Sequence, residues 1–231
     1  MTSSLIPFFE PHGVAVIGAS ASPDKLSYAI LKNMTLYGYK GKVYPVNPRE
    51  EEILGLKCYP DILQVPDPVD LAVIVLPAPV IPDVMLACGE RGIRGVIIIT
   101  SGFKEVGLKG KILEEKVKAI GKSFGMRIIG PNCVGIINLI NGLDATFVKG
   151  IPAKGGIGFI SQSGAVCGGV IDHMIGSGVG FSHIISLGNE ADVDETDVIE
   201  YLAMDTNTKV ISAYIENIQR GQKFIQITRE V

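Results

Sequence analysis

No two of the four cysteines stand close together: Cys58, Cys88, Cys133 and Cys167 are scattered and form no C-x-x-C pair. That excludes a zinc-ribbon or thioredoxin-type reading and leaves four reduced thiols, as expected of a cytoplasmic protein. Charge is also scarce. Charged residues make up 19% of the chain against 47% hydrophobic, and the net charge is −3 with Lys and Arg dispersed. No basic cluster is present to hold nucleic acid or an anionic membrane, so an anion bound here must be held by local geometry. The longest apolar stretch, Leu71 to Pro82, carries three prolines and is too short to span a bilayer. The start, MTSSLIPFFEPHG, lacks the basic and apolar regions of a signal peptide. A soluble, cytoplasmic protein with a sizeable core is expected.

Short β-branched runs alternate with helix-length segments. The runs are Val14–Ile17, Lys42–Val46, Leu71–Leu76, Val96–Thr100 and Arg127–Ile129. Continuous apolar strands separated by helices predict an α/β fold with a doubly wound parallel sheet. Helices are expected over Leu26–Tyr37, ended by Gly38, and over Leu108–Phe124, with Leu113, Val117 and Ile120 on one face and Glu114 paired to Lys118. Residues 130–156 are rich in Gly, Asn and Pro without a clear period, and read as a linker beginning near 131. A second series follows: Ile157–Ile160, a helix over 164–175, Phe181–Leu187, a helix over 195–204, Val210–Tyr214, and a last helix from Gly221. Three strands are few for such a sheet, so this second domain, 131–231, reads as C-terminally incomplete.

The strand ends carry the candidate chemistry, because ligands in such sheets bind beyond the carboxyl ends of the strands. The first turn runs Gly18-Ala19-Ser20-Ala21-Ser22-Pro23. It is neither G-x-G-x-x-G nor a Walker loop, but its small residues let backbone N–H groups approach an anion at a helix start. The second strand ends Asn47-Pro48-Arg49, a cation where NAD-binding folds place an acid. That favours a ribose bearing a phosphate, as in NADP or coenzyme A. The third ends Pro77-Ala78-Pro79, a stiff crevice floor or simply a helix start, and the fourth Thr100-Ser101-Gly102.

The runs VAVIGAS, VYPVNP, VLPAP and IITSGF, followed by IGPNC-x-G around Asn132, by FISQSG and by SLGN, resemble the α-subunit of succinyl-CoA synthetase. They are more similar still to the ADP-forming acetyl-CoA (acyl-CoA) synthetases. The resemblance runs through nearly the whole chain. It implies a Rossmann-type CoA-binding domain over 1–130 followed by a flavodoxin-like ligase domain. The family reaction takes acyl-CoA, phosphate and ADP to acid, CoA and ATP through an acyl phosphate and a phosphohistidine. ATP/ADP and Mg²⁺ then belong to an ATP-grasp partner subunit or domain, and an oligomer is expected.

Carried over by position, Gly18, Ser20, Ala21, Ser22, Pro23, Pro48, Arg49, Pro77, Ala78, Pro79, Thr100 and Ser101 are implied to line the CoA crevice. Where succinyl-type subunits have a lysine after the second strand, this chain has Arg49-Glu50. Asn132 and Cys133 fall near the thiol end. Cys133 reads as a packed, inert thiol, with a nucleophilic role as the alternative. Ser161, Ser163 and Gly164 are implied to bind phosphate at a helix start, a place that equally calls for a capping serine. Glu216 is implied to orient the active-site histidine, against a plain solvated strand-end carboxylate. His12, His173 and His183 do not occupy that histidine's position, which falls beyond the chain. Two other readings stay open: a non-catalytic CoA-binding module, and an NADP-dependent oxidoreductase.

Overall fold

The computed structural model describes residues 4–231. After a short helix α1 (Ile6–Phe9) come β1 (Gly13–Ile17), α2 (Leu26–Leu36), β2 (Lys42–Val46), the hairpin β3 (Glu52–Ile53) and β4 (Leu56–Lys57), β5 (Leu71–Ile74), α3 (Ile81–Arg91), β6 (Gly95–Ile98), α4 (Leu108–Phe124) and β7 (Arg127–Ile129). The N-terminal sheet is wholly parallel in the order β2-β1-β5-β6-β7. Every residue of β1, β5 and β6 is buried, as apolar runs covered by helices on both faces require. The strands stop earlier than the apolar pattern suggests, at Ile74 and Ile98, because the rim turns begin there. The chain runs from β1 outward to β2 on one side and returns to β5 on the other. Their diverging ends open a crevice at that switch point.

The remaining elements are β8 (Ile136–Asn138), β9 (Leu143–Asp144), β10 (Ala153–Ser161), α5 (Gly164–Met174), β11 (Gly180–Ser186), α6 (Glu195–Met204), β12 (Val210–Tyr214) and α7 (Gly221–Glu230). They build a second sheet in the order β12-β10-β11-β8-β9, with β10, β11 and β12 parallel and β8 and β9 antiparallel. Two sequence expectations are corrected here. The segment 131–156 is not a linker, and the second sheet has five strands, not three. The strands β8 and β9 are short and joined by a tight turn at Asn141-Gly142, so they give no long β-branched run to read. In this second sheet the β12 flank is bare, with Val210 58% and Tyr214 41% exposed.

One apolar core joins both sheets. Phe8, Phe9, Val14, Val73, Ile97 and Ile129 pack with Ile136, Leu143, Ile160, Ile185 and Leu202 in a single cluster. Polar ties cross the same seam. Phe9 O accepts from Asn138 Nδ2 and Asn141 Nδ2, each at 2.8 Å, and Asn33 Nδ2 donates to Thr146 O and Val148 O, each at 2.8 Å. Arg127 on β7 bonds Asp192 (2.7 Å) and Asp197 (2.9 Å). The expected surface pair Glu114–Lys118 does not form. Glu114 is 5% exposed and turns inward, where its Oε2 accepts from Asn189 Nδ2 at 2.8 Å. Among the described residues no helix is long and apolar enough to cross a membrane.

Candidate active site

The rim of the N-terminal sheet holds a cleft of about 760 Å³, lined by Gly18 and Ser20 after β1, Pro48 and Arg49 after β2, and Leu76 after β5, with Lys25 and Ser27 at the start of α2. Gly18 sits at φ +87°, and a Cβ there would lie 2.4 Å from Val75 O, so only glycine fits the turn. The amides of this turn are less free than a phosphate-cradling loop implies. Gly18 N and Ala19 N both donate to Val46 O (3.0 and 3.2 Å), and Ser22 N donates to Ser20 Oγ (3.1 Å). The open donors lie at the start of α2, which has no side-chain cap, beside Lys25. Asn47 shapes the opposite wall: its Nδ2 donates to Ala19 O (2.6 Å) and its Oδ1 accepts from Arg49 N (2.9 Å). Among the described residues the Arg49 guanidinium has no hydrogen-bond or ion-pair partner.

A second cleft of about 600 Å³ adjoins the first. It shares Leu26, Val75 and Leu76 with it and adds Pro77, Thr100, Ser101, Asn132, Cys133 and Gly164. The Thr100 hydroxyl is spent on Leu76 O at 2.7 Å. Cys133 is 4% exposed, its Sγ reaches Ile98 O at 3.4 Å, and burial pushes its thiol up to about 12. A packed thiol held up in this way carries little thiolate, the form that attacks. Of the other predicted residues, Ala21, Ser22, Pro23 and Pro79 are exposed on the outer lip and Ala78 is buried beneath it. None of these five lines either cleft.

A third cleft, about 580 Å³, shares Asn132 and Gly164 with the second. It gathers Lys104 and Glu105 from the first half with Gln162, Ser163, Asn189, Glu190 and Glu216 from the second. Asn132 stands at φ +60° with its N–H on Thr100 O (2.9 Å) and its Nδ2 3.3 Å from Asn189 Oδ1, so it sits on the seam between the clefts. At the start of α5 both serines have local duties. Ser163 Oγ caps Val166 N (3.3 Å), and the buried Ser161 Oγ donates to Ser163 O (2.8 Å). With Cys167 N also bonded to Ser163 O, the Gly164 and Ala165 amides remain as donors at the mouth of the cleft.

Sequence reasoning missed Lys25, Asn47, Lys104, Asn189 and the carboxyl pair Glu190 and Glu195. Glu195 is fully buried and Glu190 is 7% exposed with φ +54°. Burial first, then the neighbouring Glu195, holds the Glu190 carboxyl well above the usual range. Both glutamates lie in SLGN-EADVDE, where nothing local marks them as facing each other.

A fold that converges strand-end turns on a chain of clefts is a ligand-binding α/β architecture of the nucleotide type. The CoA binding domain family matches residues 12–138, and a succinyl-CoA ligase like flavodoxin domain matches residues 154–231. The chain belongs to the CoA-binding domain family of the succinyl-CoA ligase superfamily. It is 49% identical over 224 residues to the α-subunit of acetate–CoA ligase (ADP-forming) II from Pyrococcus furiosus, covering 97% of this chain and 49% of that one. It is 47% identical to the acetate–CoA ligase (ADP-forming) of Methanocaldococcus jannaschii, covering 96% of this chain and 31% of that protein. A solved acetyl-coenzyme A synthetase 1 from Ca. Korarchaeum cryptofilum, in complex with phosphate and ADP, superposes with a TM-score of 0.95 at 42% identity, over 98% of this chain and 49% of its own. The chain thus spans half or less of the length of these relatives.

Proposed function

We propose that this chain is the CoA-binding part of a nucleoside-diphosphate-forming acyl-CoA synthetase, converting acyl-CoA, ADP and phosphate to acid, CoA and ATP. Residues 1–130 carry the CoA-binding domain and 131–231 the ligase-like one. The reading rests above all on the continuity of the three clefts. Leu26, Val75 and Leu76 join the first to the second, and Asn132 and Gly164 join the second to the third. A nucleotide seated against Arg49 and the α2 start thereby sends its pantetheine arm past Ser101 and Asn132. Its thioester then lies before the Gly164 and Ala165 amides, donors suited to phosphate or an acyl phosphate.

In this reading the chain's residues bind, orient and shield, and Glu216 at the mouth of the third cleft faces the incoming phosphoryl carrier. The phosphorylated histidine is none of His12, His173 or His183. His12 lies at the opposite rim, His173 in the last turn of α5, and His183 is buried in β11. ATP or ADP with Mg²⁺ is assigned to an ATP-grasp partner subunit or domain, and the acyl group is a small monoacid. The whole works in the cytoplasm.

Arg49 decides the ligand. Calorimetry on the chain is expected to give CoA binding well ahead of NADP. Arg49→Ala should weaken CoA about tenfold, the size of one charged hydrogen bond, while leaving 3′-dephospho-CoA within about twofold. Equal losses for the two ligands would remove the 3′-phosphate contact, and NADP binding more tightly than CoA would overturn the reading.

A further inference from the structure

Gln162 is the residue in which the third cleft is tied together. It follows β10, the central one of three parallel strands, with β12 on one side and β11 on the other. Its Nε2 faces only acceptors: Glu190 Oε1 and Oε2 at 3.0 and 3.1 Å, Glu195 Oε2 at 3.4 Å and Asn217 O at 2.7 Å. Its Oε1 faces only donors, the backbone N–H groups of Glu216 (2.7 Å) and Asn217 (2.9 Å). A flipped amide would set oxygen against carboxyl oxygens and NH₂ against two N–H groups, so the orientation is fixed by its surroundings.

We propose that Gln162 is a positioning residue for the proposed reaction: it fastens the Glu216–Asn217 turn over the cleft, and the Glu190–Glu195 carboxyl pair behind it keeps its amide pointing the productive way. The turn has little else to hold it. Glu216 and Asn217 are both exposed, β12 is a sheet edge, and among the described residues the hydrogen bonds that Glu216 N and Asn217 N make run to Gln162. The pair, in contrast, is anchored. Asp194 caps α6 through Thr196 N and Asp197 N and is gripped in turn by Arg220, which holds Glu195 in the first turn of that helix. Lys104 and Glu105 approach from the N-terminal half but bond Asn189, so among the described residues the pair's side-chain donors are Gln162 and Thr196, whose Oγ1 donates to Glu195 Oε1 at 3.3 Å. Burial first, then the charge of Glu195, favours the protonated form of Glu190, which lets the two carboxyls lie side by side against one amide.

The inference rests on the synthetase reading, and the test separates the two. Amide hydrogen exchange of the wild-type chain should show Glu216 and Asn217 protected. Gln162→Met, of similar length but without hydrogen bonds, should cut their protection by about tenfold while β10 and β11 stay unchanged. Gln162→Glu keeps an acceptor, but while it is ionised its second oxygen meets the Glu190 and Glu195 oxygens and pushes the side chain off the turn, until protonation restores a donor. Its protection factors at 216 and 217 should therefore recover as pH falls from about 8 to 5, and those of Gln162→Met should not. Should Gln162→Met fail to fold, the pH series of Gln162→Glu decides alone. In the assembled synthetase, Gln162→Met should lower kcat about tenfold with KM for CoA within about twofold. Unchanged protection at 216 and 217, or a Gln162→Glu variant with no pH recovery, would overturn the proposal. Absence of CoA binding by the wild-type chain would instead sink the synthetase reading and leave the clamp standing.

Discussion

Gly18→Ala is expected to weaken CoA binding by more than about tenfold and to lower Tm by roughly 5 °C. Two costs combine. The backbone at Gly18 stands at φ +87°, where a side chain costs about 1–2 kcal/mol. The added Cβ would also lie 2.4 Å from Val75 O and 2.9 Å from the Leu76 side chain, so the turn must move away from β5. That movement widens the floor of the crevice just where β1 and β5 diverge. Gly38→Ala is the matching control. Its φ is +83°, but nothing lies within 4 Å of its Cβ, so it should lower Tm through strain alone and leave CoA binding intact. A Gly18→Ala chain that binds CoA as tightly as its parent would show that the turn does not shape the site.

Asp144 is expected to make stability fall as pH rises, and Asp144→Asn to remove that fall. The carboxyl is fully buried on β9. Its Oδ1 accepts from Thr146 N (2.9 Å) and Thr146 Oγ1 (2.7 Å), while Oδ2 is buried without a partner. Burial drives its pKa up to about 7, against the smaller opposing pull of the Thr146 bonds. In the unfolded chain the group ionises near pH 3.8. Between those values the folded state holds a proton that the unfolded state has lost, so stability declines with pH. The decline begins near pH 4 and is complete above about 7. Three units correspond to a loss on the order of 4 kcal/mol at most. Asn keeps the Thr146 acceptor and does not ionise. The difference in unfolding free energy between Asp144→Asn and its parent should grow by a few kcal/mol from pH 4 to 8. A difference that stays flat with pH would show that Asp144 is already ionised in the fold.

The rim was readable because its signals are local. Gly18, Pro48, Pro77 and Ser101 each punctuate the end of an apolar strand, and a parallel sheet sets all such ends on one side. What the turn amides do was not readable. Val46 takes both Gly18 N and Ala19 N, a fact that depends on the register between β1 and β2. Of the third cleft, Asn132, Ser163, Gly164 and Glu216 were legible, but not what ties them, since Gln162 lies 28 residues from Glu190 and 54 from Glu216. Glu114 failed for the same reason. An exposed helical pair with Lys118 is the natural reading until Asn189, 75 residues away, arrives to bond it. The strands β8 and β9 were lost to their brevity, and the Asn and Gly of the turns around them read as loop.

The shared core has a practical consequence. Phe9, Val73 and Ile129 from one half touch the same cluster as Ile136, Ile160 and Ile185 from the other. Severing the chain near residue 130 would therefore strip each piece of the surface that keeps its neighbour dry. Each fully bared aliphatic or aromatic side chain forfeits about 1.5–3 kcal/mol, so several together outweigh the whole margin by which an ordinary domain stays folded. The halves lean on one shared seam, so a piece cut out with the whole lining of the first cleft, Ile17 to Ala87, would still carry an apolar face open to water.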